Sequence, residues 1–539
     1  LSSDHELVVV GAGGAGLTAA IAAHDAGASV VVLEKSSYVG GTFAYSTGLT
    51  WIPNNHHMRE EGADDSSADA LRYIVPRTSG RHDEAVLDTF VQRGPEVIAY
   101  LEREGVPFEI VPGYPDEQAD EPGGRAHGRY LSSPVFAAAS ELDAEWREIL
   151  VRSPNYSGLP ASWREIQGWG GFGSIASWDW ALLAARVRDD VRAFGMSTAG
   201  YLLKAARARE IEIRLDTAAF SLLVDRGRVV GVTDSHGEEF RASRGVVLST
   251  GSYDNDPTFK RNLEPHPPTV SLGAPTVDGS GLVMALELGA QFALLGGQLL
   301  TPAYHVEGEE TDDGPVYRML AREPGFPGSV IVNRNGERFC DESTITELRR
   351  ALALLDPHTR SYPNHPAFFV FDQRWKDRYP LGPIMPGETP EWLARADTAS
   401  GLARLIGVDE ERLESTLSTF NEGAAVGTDG SFRRGESKFS RAHGDPEVTP
   451  NPCLRPLEPP FYALEVCVGI VGTNGGLVID GTGAVQNVRG ESIPGLYAAG
   501  NAAANLVGGL WYNAGMMNAR GMIFGFVGAR AALGIGSPS

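Results

Sequence analysis

Residues 6–35, ELVVVGAGGAGLTAAIAAHDAGASVVVLEK, hold two apolar runs separated by a stretch of small residues. The run from Leu7 to Val10 is continuous, which predicts a parallel strand buried on both faces, and the residues after it read turn, helix, strand. Later, DTAAFSLLVDRGRVVGV reads as strand, turn at Asp225 to Gly227 and second strand, and GVVLSTGSY follows as a further strand. Near the end, GLYAAGNAAANL supplies another apolar strand closing on Gly500 and Asn501. Between about Gly289 and Glu458 the pattern changes, with runs such as TPAYHVEGEETDDGPVYRML and HPAFFVFDQRWKDRYPLG and the helical TASGLARLIGVDEERLESTLSTFNEGAAVG. The prediction is an α/β chain. A Rossmann-like nucleotide-binding domain, residues 1–288 and 459–539, surrounds an inserted α+β domain, residues 289–458, and a site at the junction is the default expectation.

The turn after the first strand has the spacing G-x-G-x-x-G. Gly11 makes the tight turn, Gly13 lets a diphosphate approach the backbone, and Gly16 packs helix on strand. Gly14 and Ala15 lie at the helix start, whose free N–H groups and partial positive charge favour a diphosphate. Glu34 ends the next strand and can accept hydrogen bonds from a ribose diol, or serve as an ordinary strand-end acid; Lys35 follows it. Gly40, Gly41, Thr42, Ser46 and Gly48 continue the chain in small residues that let backbone approach a flat ring system.

At 539 residues the chain exceeds one compact core and predicts two or more domains, for which 42% hydrophobic residues are ample. A net charge of -23 argues against nucleic acid, since no basic stripe can neutralise phosphates. Cys340, Cys453 and Cys467 are odd in number and far apart, which suggests neither a disulfide framework nor a metal site and fits a reducing cytoplasm. No apolar run reaches the roughly 20 residues that span a bilayer, and the start lacks a basic signal-peptide region. The chain opens on Leu1 rather than Met, which leaves room for earlier residues.

The motifs VVVGAGGAGLTAA, LEK, GGT, VVLSTGSY, TVDGSGLVMALELGA, VNRNGERFCDES, GGLVID and IPGLYAAGN cover most of the chain. Together they resemble the FAD-binding domain of the fumarate reductase and succinate dehydrogenase flavoprotein family. The resemblance implies FAD and hydride transfer between flavin N5 and a carbon near an activating carbonyl. It adds Ala218, Gly251, Asp278, Gly500, Asn501, Met516 and Met517 to the expected cofactor contacts. No His between Tyr38 and Thr50 offers a covalent flavin link, so noncovalent FAD is expected. The insertion resembles the family's cap domain, and Trp146, Trp163, Trp169, Trp178 and Trp180 before it read as an apolar lid or as extra core.

Fumarate reductases carry a His and an Arg after the AAGE strand and an Arg after RF-x-DE. Here AAGNAAANLVGGLWYNAGMMNARG lacks that pair, and Thr346 stands at the Arg position with Arg349 close by. A dicarboxylate needs paired cations. GGTFAYSTGLTWIPNN, PGGRAHGR and GLWYNAG-x5-GMIFGF are similar to the 3-ketosteroid Δ1-dehydrogenases and related cyclic-ketone dehydrogenases. That branch implies α,β-dehydrogenation of a cyclic ketone or 3-ketosteroid, with α-proton abstraction and β-hydride transfer to FAD. Donors aimed at the developing enolate oxygen are a large part of such catalysis.

In that branch a Tyr hydroxyl and a Gly N–H four residues later bind the ketone. The match places the Gly on Gly515 and the Tyr on Trp511, with Tyr512 one place on. A second Tyr falls on Glu117, with Tyr114 close, and the third, the presumed base, falls on Thr346. The replacements expected to bind substrate or move the proton are therefore Tyr201, Trp511 and Tyr512, each of which can also be a packing residue. A buried Tyr needs a lowered pKa to act as base, and Trp511 can only donate. The expected partners are a small cyclic ketone or steroid-like substrate and an electron acceptor of unknown identity. An enone or enoate reductase running in the opposite direction and a catalytically silent FAD-binding protein remain as alternatives.

Overall fold

A computed structural model describes residues 2–155, 159–264, 267–295, 298–311, 314–507 and 513–535. Ser2–Val10 is the centre of the first sheet, as its unbroken apolar run predicts. It pairs in parallel with Val30–Leu33 on one side and Glu239–Leu248 on the other, with Leu7 opposite Val30 and Val8 opposite Val246. Glu212–Arg214 extends the sheet beyond Val30–Leu33, and Ser492–Ala498 beyond Glu239–Leu248, both parallel. The hairpin Ala219–Asp225 and Arg228–Asp234 pairs antiparallel onto Glu239–Leu248.

Two largely buried helices pack on this sheet and on each other: Gly14–Asp25, after the first turn, and Met516–Ala532. Their contact is built from small residues. A Cβ at Gly525 would overlap Ala15 O, and one at Gly521 would lie 3.5 Å from the Ala15 Cβ. The long helix Glu84–Arg103 packs on the terminal helix, its Gly94 facing Ile523.

The second sheet lies in the cap. Its strands run in the order Gly314–Met319, Gln298–Thr311, Phe461–Thr473, Ala367–Asp372, Ser329–Asn333. Thr269–Ser271 pairs in parallel, and Ala394–Ala396 antiparallel, with the same central strand Phe461–Thr473. The sheet therefore divides the chain differently from the sequence pattern. Phe461–Thr473 and Thr269–Ser271 fall in the segments assigned to the nucleotide domain, yet both hydrogen-bond into the cap sheet. Phe461–Thr473 alternates little between apolar and polar because it is covered on both faces, so composition could not tell to which sheet it belongs.

Candidate functional site

One cleft runs from the G-x-G-x-x-G turn to the cap. It encloses about 2080 Å³ free of protein atoms, open solvent at its mouth included. At one end its lining includes Gly11, Gly13, Gly14, Ala15, Glu34 and Lys35. Gly11 has φ +104°, and a Cβ there would meet Ser249 O at 2.5 Å, so the turn requires glycine. Gly16 lies behind the lining, where a Cβ would overlap Gly11 O. Above Gly13 the nearest atom a Cβ would meet is Gly40 O at 3.9 Å, which leaves space for a diphosphate over the helix start. The Glu34 carboxylate is aimed by Ala12 N–H at 2.8 Å and by Ser36 N–H and Oγ, both at 2.9 Å.

Lys35 pairs with Asp278 at 2.7 Å, and Asp278 also accepts from Ser280 N–H; Asp278 itself stands off the lining. Ala218 lies between the lining residues Thr217 and Ala219, its carbonyl taken by Ser235 N–H. Gly41, Thr42, Ser46, Gly251, Gly500, Asn501 and Met517 line the middle of the cleft. Gly40, Gly48 and Met516 support it from behind: Gly40 N–H donates to Ala12 O, Gly48 N–H to Ser46 Oγ, and Met516 N–H to Asn513 O. A cleft with open backbone at a helix start and a fixed acid beyond the second strand fits an FAD.

At the cap end, Gly515 begins the terminal helix with φ +82° and packs so closely on Thr50 and Trp51 that a Cβ would meet Trp51 N at 2.8 Å. Its carbonyl accepts from Trp51 N–H, and among the described residues its own N–H has no acceptor. Beside it Glu117 enters the lining, with 3% of its surface exposed. Glu117 accepts hydrogen bonds from Thr346 Oγ1, on the cap helix Ile345–Leu352, and from Ala514 N–H at 3.3 Å. Its own N–H donates to Asn513 Oδ1, which also accepts from the Tyr73 hydroxyl. The preceding residue locks this loop: Asp116 accepts from Trp51 Nε1 at 2.7 Å and pairs with Arg129 at 2.8 Å, both partners being buried. Burial pushes the Glu117 carboxyl above the usual carboxylate range, opposed by the charge of Arg349 and by the Thr346 bond.

Three further groups face the same end. Tyr114 lies edge-on to Trp163 and His443 and beside Tyr130, and burial pushes its hydroxyl up. His443 donates from Nδ1 to Phe439 O at 2.8 Å; burial, with the Arg322 charge, pushes it down to about 3, so it stays neutral. Arg322 lies over the Trp163 ring at 4.2 Å and the Phe172 ring at 4.7 Å. The Trp163 indole N–H in turn holds Thr47 O at 2.8 Å. Of the tryptophans read as lid or core, Trp163 thus supports a cleft residue, while Trp169, Trp178 and Trp180 form a row of ring contacts joined to Trp163 through Phe172.

Tyr201 does not reach the cleft, contrary to expectation. Its hydroxyl donates to Val135 O at 2.9 Å, its ring packs on Phe136, and burial raises its pKa, the wrong direction for a base. Trp511 and Tyr512 lie outside the described residues. Sequence reasoning noted Glu117 only as a departure, because YPDEQADEPGG holds four acids and nothing local distinguishes one of them. Arg322 carried no local signal either, since its aromatic neighbours come from another segment.

The family described as FAD binding domain matches residues 6–516. The 4-oxocyclohexanecarboxylate 2-dehydrogenase of Sinomonas cyclohexanicum is 36% identical, with 99% of this chain and 93% of that protein aligned. A 3-oxosteroid 1-dehydrogenase of Mycobacterium tuberculosis is 31% identical over 98% of both chains. Among solved structures, 3-ketosteroid delta1-dehydrogenase from Sterolibacterium denitrificans, in complex with 1,4-androstadiene-3,17-dione, superposes with a TM-score of 0.90. It is 30% identical, with 98% of this chain and 99% of that one covered.

Proposed function

This chain belongs to the FAD binding domain family, and from that premise we propose that it is an FAD-dependent dehydrogenase that introduces a double bond beside the carbonyl of a cyclic ketone. The observation that carries the reading is the continuity of one cleft from the dinucleotide turn to a carbonyl donor and a proton acceptor, Gly515 and Glu117. Bound FAD supplies the acceptor for the departing hydride. The protein's part is to acidify the α-carbon and take its proton.

Gly515 N–H, at the positive end of the terminal helix, donates to the ketone oxygen and stabilises the charge that develops there as the proton leaves. Glu117 takes the proton. Of the shifted groups that line this end, Tyr114 is pushed further from neutrality, His443 is too weak a base at about 3, and Glu117 is moved toward neutral pH. Thr346 and Ala514 hold its carboxylate while leaving lone pairs for the proton. The relatives' named substrates span a small ring ketone with a carboxylate and 3-oxosteroids, and both classes fit this chemistry.

The test is anaerobic: the purified flavoprotein is mixed with saturated cyclic ketones without added reductant, and flavin absorbance is followed. Bleaching with release of the enone is expected. A flavin left oxidised by every ring ketone, steroid and non-steroid, yet bleached by added reductant and reoxidised by an enone, would reverse the assigned direction.

A further inference from the structure

Arg322 and Arg349 are the arginines among the described residues that line the cleft, and they stand in different surroundings. The charge of Arg349 acts on Glu117. Arg322 is held by rings: its guanidinium lies 4.2 Å from the centre of Trp163, 4.7 Å from Phe172 and 5.7 Å from Tyr114. Among the described residues no carboxylate lies within 4.0 Å of it. The neighbouring Glu323 carboxyl turns to the Arg322 backbone N–H at 3.0 Å instead. The Tyr114 hydroxyl takes one of its N–H groups, and a cation flanked by aromatic faces loses much of its water while its planar fork can still bind a planar acceptor. The chain's net charge of -23 gives an anion no general attraction, so an anionic group could be bound here only by a local cation of this kind.

We propose that Arg322 is the receptor for a carboxylate carried by the ring ketone, and that the substrate is a cyclic oxo acid rather than a neutral steroid. This rests on the dehydrogenase reading above. The guanidinium fork and a carboxylate form two parallel hydrogen bonds, which fix the ring's orientation as well as its affinity. With the ketone oxygen at Gly515 and the carboxylate at Arg322, the ring is held at two points, and Glu117 meets a defined α-carbon.

The experiment compares 4-oxocyclohexanecarboxylate with its methyl ester as reductants of the flavin in the wild-type holoenzyme, Arg322→Gln and Arg322→Lys. The wild type should prefer the acid in kcat/KM, and Arg322→Gln should lower the acid-to-ester ratio about tenfold to a hundredfold. Arg322→Lys keeps the charge but loses the fork, so its ratio should fall by less. An unchanged ratio in either variant that holds flavin, or a wild type preferring the ester, overturns the assignment. If no ketone bleaches the flavin, the dehydrogenase reading falls and binding still decides the role of Arg322. Titration of the oxidised holoenzyme with 4-oxocyclohexanecarboxylate, read by flavin absorbance and fluorescence, should then show a dissociation constant raised at least tenfold in Arg322→Gln, and an equal constant overturns it.

Discussion

Glu117 joins three distant parts of the chain, since its partners Thr346 and Ala514 lie 229 and 397 residues away in sequence. Glu117→Gln should keep flavin and lower the limiting rate of bleaching by about 10²–10⁴-fold, the usual contribution of a positioned base. The sign of the pH dependence follows from the raised carboxyl. A base works deprotonated, so the rate should fall as pH drops through a pKa above the ordinary value of about 4.3. Thr346 favours the charged form, and Thr346→Val should therefore move the profile to higher pH; stopped-flow traces across pH check both variants. The glycines of the dinucleotide turn were legible because their requirement is local: Gly11 needs its φ, and Gly16 meets the turn itself. Glu117 was not, because its role is made by residues that folding alone brings to it. Tyr201 misled for the same reason, its hydroxyl being consumed by Val135 O.

At the scale of elements, the nucleotide end depends on how closely two buried helices approach. Ala15 lines the cleft on one face of its helix and contacts the terminal helix with another. Gly525→Val would drive a side chain into Ala15 O, and such overpacking costs about 1–3 kcal/mol or more. The flavin-to-protein ratio and the midpoint of thermal unfolding should both fall. Gly521→Ala places its methyl 3.5 Å from the Ala15 Cβ, an ordinary contact, and should retain flavin. If the two variants behave alike, close helix packing does not support the cofactor end. The strand–turn–helix–strand pattern was legible because periodicity and glycine spacing agree there. The opposite helix, Met516–Ala532, is rich in small residues and buried over most of its length, and only the structure shows which of them touch Ala15.

Across the whole molecule, the sequence pattern did not show which sheet Phe461–Thr473 joins. Strand pairing is a non-local choice, and Phe461–Thr473 would be covered on both faces in either sheet. Because that strand is the centre of the cap sheet, a fragment of residues 289–458 keeps two separate strand pairs but lacks the strand that joins Gln298–Thr311 to Ala367–Asp372. Such a fragment should show little ordered structure by circular dichroism and dispersed proton signals should be missing, whereas residues 267–475 carry every strand of the sheet. The nucleotide sheet waits on the same part of the chain, since Ser492–Ala498 pairs with Glu239–Leu248. During synthesis, then, neither sheet can be completed while its early strands are leaving the ribosome. Both close only after the chain beyond Phe461 has emerged, which makes the nascent protein dependent on protection of its strand edges until those late strands leave the ribosome.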